Sequence, residues 1–190
     1  VEAGLMRDLE FSDPLADVTS RYLLAAGGKR VRPTLALLTA QLGQGNVDAV
    51  ITASKAIEIT HLASLYHDDV MDEADVRRGA PSANARWTNT VAILTGDFLF
   101  ARASDLTAGL GTEATRIQSR TFARLVEGQI SETAGPADGQ DAVEHHLQVI
   151  ADKTASLLAT SARLGALMAG APAADVETVA RFGEVFGAAF

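Results

Sequence analysis

Apolar and small residues recur three and four positions apart through Val47, Val50, Ile51, Ser54, Ile57, His61, Leu62 and Leu65, the spacing of one helix face. The pattern predicts a long helix that ends near Met71. Upstream, Asp13 followed by Pro14 reads as an N-cap and first-turn proline, opening a helix that closes near Gly27-Gly28. A second helix is predicted over 32–42, with Pro33 in its first turn and residues 43–46 breaking the pattern. Further helices are predicted over 89–109 and 113–134, and a last one after Pro172. Asp141 with Glu144 resembles a capping box. Beyond it Val143, Leu147, Ile150, Thr154, Leu157, Ser161, Leu164 and Met168 predict the buried seam of one long helix. Residues 74–88, with glycine, proline, serine and asparagine, read as a loop of functional length. Strand signals are nearly absent, and no repeat or linker interrupts the chain. The expectation is an all-α protein, one domain over 1–190.

Composition narrows the function. With 190 residues, 47% of them apolar, the chain can bury a core. A net charge of −8 argues against non-specific nucleic-acid binding, so any bound anion must be held by a local cluster. No apolar run approaches the ~18 residues of a membrane span, and no signal-peptide series opens the chain. Cysteine is absent, which removes disulfides and thiolate metal sites. A cytoplasmic protein is expected. The chain starts without methionine and stops at Phe190 inside a helical pattern, which reads as part of something longer.

The candidate chemistry begins in "LYHDDVMDEADVRRG", residues 65–79. On a helix Asp68 and Asp72 share a face, while Asp69 points about 100° away. Like charges at that spacing repel, and they stand near a helix C-terminus whose dipole disfavours anions. A solvated acidic helix end is the plain alternative; a compensating cation is the functional one. Carboxylate oxygens with positions left open for phosphate describe a Mg2+ site completed by substrate. His67 points away from Asp68 and reads as structural. A second basic set, "GGKRVRP", joins Arg77 and Arg78, so that five of sixteen basic residues (Lys29, Arg30, Arg32, Arg77, Arg78) fall in two short segments. Such groups bind phosphate oxygens by charge-assisted hydrogen bonds. The glycines lack P-loop spacing. A Mg2+-bridged diphosphate beside a metal-free phosphate site is the combined expectation.

In order and spacing these segments resemble the trans-isoprenyl (polyprenyl) diphosphate synthases. "GGKRVRP" looks like the family's first basic motif and "HDDVMDEADVRRG" like its first Asp-rich motif. "GQ" at Gly128-Gln129 and "DKT" at Asp152, Lys153 and Thr154 fall where its later motifs are expected. The resemblance implies a bundle of mostly antiparallel helices around a central apolar cavity. It also implies head-to-tail condensation of isopentenyl diphosphate with an allylic diphosphate. By residue, Asp68 and Asp72 would bind Mg2+ with Asp69 supporting them. Lys29, Arg32, His61 and Arg78 would hold isopentenyl diphosphate. Arg77, Lys153 and Thr154 would lie on the allylic side, with Gln129 lining the reacting region. A homodimer is expected, with at most peripheral membrane association for product release.

In this family the residues four and five positions before the first aspartate set a floor for the growing chain. Here they are Ser64 and Ala63, both small, about 6 to 7.5 Å back along the axis. A long-chain product is expected, with Phe98 or Phe100 as a competing floor; a geranylgeranyl- or farnesyl-type short-chain synthase is the alternative. The family's second Asp-rich motif follows a lead-in like "FGEVFGAAF", after which this sequence stops, so the bundle is expected to be C-terminally incomplete and these 190 residues by themselves inactive. Two rivals are a class I terpene cyclase, disfavoured by 5% aromatics and the basic set, and a non-catalytic partner subunit, disfavoured by the intact Asp-rich motif.

Overall fold

The computed structural model describes all 190 residues and is helical apart from one two-stranded ribbon. Helix α1 spans Glu2–Asp8, α2 Pro14–Ala25, α3 Val31–Thr39 and α4 Asp48–Met71. Asp13 caps α2 as expected, its carboxylate accepting the Ala16 N–H at 2.8 Å. A 3₁₀ turn at Ala40–Leu42 extends α3. Helices α6 (Asn89–Ala108), α7 (Thr112–Ala134) and α10 (Ala173–Ala189) also match the expected periodicity.

Three features depart from expectation. Helix α1 was invisible, because seven residues are too few to show a period. Residues 74–88 are more ordered than a loop. Strand β1 (Val76–Arg77) pairs antiparallel with β2 (Ala80–Pro81), and α5 (Ala83–Arg86) follows. The turn between the strands is Arg78-Gly79, both at positive φ (54° and 79°), the conformation that a two-residue hairpin requires. Ser82 pins the segment: its hydroxyl donates to the Ala74 carbonyl and accepts the Ala85 N–H. Strands of two residues carry no alternation to read.

The expected seam over 143–168 is also corrected. It divides into α8 (Ala142–Ile150), a π turn (Ala151–Ala155) and α9 (Ser156–Met168). Val143 and Leu147 are 68% and 56% exposed, whereas Leu157, Ser161 and Leu164 are buried. A π turn carries one extra residue per turn, so the face that is buried in α9 is not continued in α8. Asp141 caps α8 by accepting the Val143 and Glu144 N–H groups.

The contacts resolve into two compact units, Val1–Val31 with Lys55–Leu106, and Arg32–Ser54 with Thr107–Phe190. The first buries Leu5 and Leu9 of α1, Leu23 and Leu24 of α2, Ile59, Leu62, Ala63 and Tyr66 of α4, and Ala92 and Leu99 of α6. The buried Tyr66 hydroxyl donates to the Thr19 carbonyl and accepts the Leu23 N–H, tying α4 to α2. The second unit relies on close helix approach. A Cβ at Gly165 would stand 2.1 Å from the Ala36 carbonyl oxygen, and one at Gly187 would stand 2.5 Å from Ala155 Cα. Only glycine permits these backbones to touch.

Candidate functional site

In the first unit the Asp-rich motif sits at the end of α4. The Asp72 N–H donates to the Asp68 carbonyl at 2.8 Å, so helical spacing continues one residue past Met71. At 100° per residue, His61, Ser64, Asp68 and Asp72 fall within about 80° of one another. Asp68 is half-buried and Asp72 exposed. Asp69 lies elsewhere and is fully buried. Its Oδ1 accepts from Arg77 Nε at 2.6 Å and stands 2.5 Å from a second Arg77 nitrogen. Its Oδ2 is buried without a hydrogen bond. Burial pushes the Asp69 carboxyl upward in pKa, and the Arg77 guanidinium opposes the rise. The three aspartates therefore differ: two face outward, and the third holds an arginine.

No group of three or more histidine, aspartate or glutamate side chains gathers around one point. A cation on Asp68 and Asp72 would draw its remaining ligands from water and phosphate, and two carboxylates offer the hard oxygen donors that Mg2+ selects. His67 is structural, as expected. Its Nε2 stands 3.1 Å from the Ile93 carbonyl and 3.3 Å from Asp97 on α6.

The basic motif meets Arg78 in the same unit. The Arg78 guanidinium donates to the carbonyls of Leu23, at 2.7 Å, and Gly27. A Cβ at Gly28 would approach both Arg30 Nη1 (2.7 Å) and Arg78 Cζ (3.0 Å), so this glycine is where two guanidinium groups meet the backbone. Lys29 between them is exposed. Arg30 turns inward instead, donating to Glu2, Glu58, Leu24 and Gly27. His61 is half-buried on the aspartate face, and Arg32 begins the second unit.

The two residues expected to set product length separate. Ala63 is completely enclosed in the unit's apolar core, with its carbonyl beside Gly96 of α6. Ser64 alone shares the aspartate face, and its hydroxyl donates to the His61 carbonyl at 2.9 Å. Phe98 packs on Phe11 at 4.3 Å and lines a 340 Å³ cleft with Leu15, Thr19 and Leu94, while Phe100 meets the His67 ring.

In the second unit the later motifs meet one another. A Cβ at Gly128 on α7 would stand 2.7 Å from the Lys153 nitrogen and 3.0 Å from Asp152 Cβ, so "GQ" seats directly on the π turn that carries "DKT". Gln129 is 7% exposed, and its Oε1 has no hydrogen-bond partner. Lys153 pairs with Glu132, and Thr154 is half-buried. Arg124 clamps Asp152 at 2.9 Å and Glu184 at 2.8 Å. The clamp, Glu132 and Glu58 were not anticipated from sequence. Glu58 alone left a signal, as the single acid inside the apolar run "AIEITHLASL".

The sequence profile described as Polyprenyl synthetase matches residues 13–190. Nonaprenyl diphosphate synthase of Mycobacterium tuberculosis is 50% identical over the whole chain, which covers 57% of that protein. Dimethylallyltranstransferase of the same organism is 45% identical over 96% of the chain and likewise 57% of its own length. A crystal structure of geranylgeranyl pyrophosphate synthase from Corynebacterium glutamicum, complexed with calcium and isoprenyl diphosphate, superposes with a TM-score of 0.87 at 45% identity. The match covers 98% of this chain and 57% of that one, so the all-α fold is shared, and the chain spans just over half the length of each relative.

Proposed function

Because the chain belongs to the polyprenyl synthetase family, we propose that the protein condenses isopentenyl diphosphate head-to-tail with an allylic diphosphate to make a polyprenyl diphosphate, using Mg2+. The observation that carries this reading is the sorting of the three aspartates. Asp68 and Asp72 share an accessible face, while Asp69 is buried against Arg77. That is the division of labour expected of two metal-holding carboxylates and one support. Calcium and isoprenyl diphosphate in the related crystal structure add support for a divalent cation.

Asp68 and Asp72 would hold a divalent cation, which when bound would neutralise charge on the departing allylic diphosphate. Arg77, fixed by Asp69, presents a second positive group to that diphosphate. Lys153, Thr154 and Gln129 are assigned to the allylic side and reacting region by motif. Lys29, Arg32, His61 and Arg78 take isopentenyl diphosphate without metal. The central apolar cavity that the family resemblance implies would shield the allylic carbocation from water.

The product is assigned as long-chain from the small Ser64 on the aspartate face and from the nonaprenyl synthase relative. The enclosure of Ala63 leaves one small residue rather than two to open the path, which favours the short-chain rival. Exposed Ile93, Leu94 and Phe98 on α6 with Leu15 and Val18 on α2 support a homodimer. No helix is long and apolar enough to cross a membrane. The test is incorporation of radiolabelled isopentenyl diphosphate by the full-length protein with farnesyl diphosphate and Mg2+, followed by product chromatography. Polyprenyl product that disappears with EDTA is expected. No incorporation by the protein alone would favour the partner-subunit reading.

A further inference from the structure

The mechanism above does not use Glu58, yet its side chain is only 2% exposed, and a carboxylate is rarely buried without a specific task. It lies on α4 and accepts from Arg30 Nη1 at 3.2 Å. Arg30 is 15% exposed and sits at φ 50°, a left-handed conformation that a non-glycine residue adopts only when its surroundings hold it there. What holds it is a fan of hydrogen bonds. Its guanidinium donates to both Glu2 oxygens (3.0 and 2.9 Å), to Leu24 O (2.9 Å), to Gly27 O (3.0 Å) and to Glu58.

Arg78 reaches the same Gly27 carbonyl from the hairpin turn. Two guanidinium groups therefore converge on one backbone oxygen and flank Gly28. Like charges that close repel: burial first, and Arg30 next, depress the Arg78 pKa while Glu58 raises it. Glu2 is 60% exposed and contributes weakly at that exposure. Glu58 is the buried carboxylate that makes the convergence tolerable.

We propose that Glu58 is a positioning residue for the metal-free diphosphate site: through Arg30 it locks the 27–30 loop beside Arg78, so that Arg78 and the neighbouring Lys29 are arranged before isopentenyl diphosphate arrives. This rests on the assignment of Lys29 and Arg78 to that substrate. Arg30, although inside the basic motif, is consumed by structure and does not touch substrate. Arranging two cations in advance removes an ordering cost from binding, so losing the arrangement weakens affinity more than turnover.

The experiment is calorimetric titration of the full-length protein with inorganic diphosphate in EDTA, which reads the metal-free site without requiring turnover. Glu58→Gln is expected to weaken binding by about tenfold, and Arg78→Gln by at least as much. In the double variant the two effects are expected to fall well short of additive, because most of the Glu58 effect passes through Arg78 and only the Lys29 part remains. In steady-state assays Glu58→Gln raises KM for isopentenyl diphosphate while kcat and the allylic KM stay within about threefold. Unchanged affinity in Glu58→Gln overturns the proposal, as do additive effects in the double variant or a wild type that binds no metal-free diphosphate. A wild type that binds diphosphate and shows the coupling, yet makes no product, counts against the prenyltransferase reading and not against Glu58. Should Glu58→Gln fail to fold, Arg30→Lys carries the test: it keeps the charge but loses the fan of hydrogen bonds, so a severalfold weakening is expected, and unchanged affinity overturns the proposal.

Discussion

The Asp-rich end of α4 and the "GQ"/"DKT" region solve the same problem, placing polar groups accurately, by different means. At the end of α4, charge fixes charge: Asp69 holds Arg77, and Arg78 rests on the carbonyls that end α2. In the second unit, backbone contact does the placing. Gly128 lets α7 touch the π turn, and the turn sets the direction in which Lys153 and Thr154 leave the helix. The first arrangement should therefore respond to loss of charge and the second to added volume.

Volume gives the largest effect on stability. Gly128→Val puts two methyl groups where one Cβ already stands 2.7 Å from Lys153 N, and overpacking of this kind costs about 1–3 kcal/mol. A melting-temperature drop of several degrees is expected by calorimetry. Gly128→Ala, with a single methyl at the same place, is the control and is expected to cost less. Equal losses in the two variants would show that added volume is not what the contact with the "DKT" turn resists.

Charge removal comes next. Asp69→Asn breaks a pair that is buried on one side only, since Arg77 is 29% exposed, so a loss of about 2 kcal/mol is expected, below the figure for a fully buried pair. Urea unfolding measures it, with no change in m-value anticipated. A smaller structural effect accompanies Ser64→Phe, which enlarges a residue on the aspartate face. It should shorten the product at some cost in stability, since Ser64 is itself only 6% exposed, whereas Ala63→Phe should chiefly destabilise because Ala63 is enclosed in the core. Product chromatography and melting of the two variants separate these outcomes.

The smallest effect is pH-dependent. The hydrogen bond from Arg30 lowers the Glu2 pKa in the folded protein, so its contribution is fully present above the unfolded value of about 4.3 and fades as pH falls through the folded value. The melting difference between wild type and Glu2→Gln should be measurable at pH 7 and shrink as pH falls below about 4. A gap that did not shrink at all on acidification would place the stabilisation elsewhere.

The long helices were legible because each spans several turns of a 3.6-residue period, and the Asp68/Asp72 face followed from helix geometry alone. Helix α1, the Val76–Pro81 hairpin and the π turn were not, because each is too short to repeat the period that would reveal it. The split seam shows the cost: Val143 and Leu147 keep helical spacing with Leu157 but are turned to solvent once the π turn intervenes. In the site, motif order located Arg77, Arg78 and Lys153, but their partners Asp69, Gly27 and Glu132 are tertiary facts. Arg30 is the clearest lesson. Its place in a basic motif reads as phosphate binding, and only its five hydrogen bonds show that it is structural.

Electron paramagnetic resonance titration of Mn2+ into the full-length protein with an unreactive allylic diphosphate analogue tests the central claim, the different roles of three adjacent aspartates. Asp68→Ala and Asp72→Ala should each abolish the bound-Mn2+ signal, while Asp69→Asn should retain it. Retention of the signal in Asp72→Ala, or its loss in Asp69→Asn with the fold intact, would contradict the account.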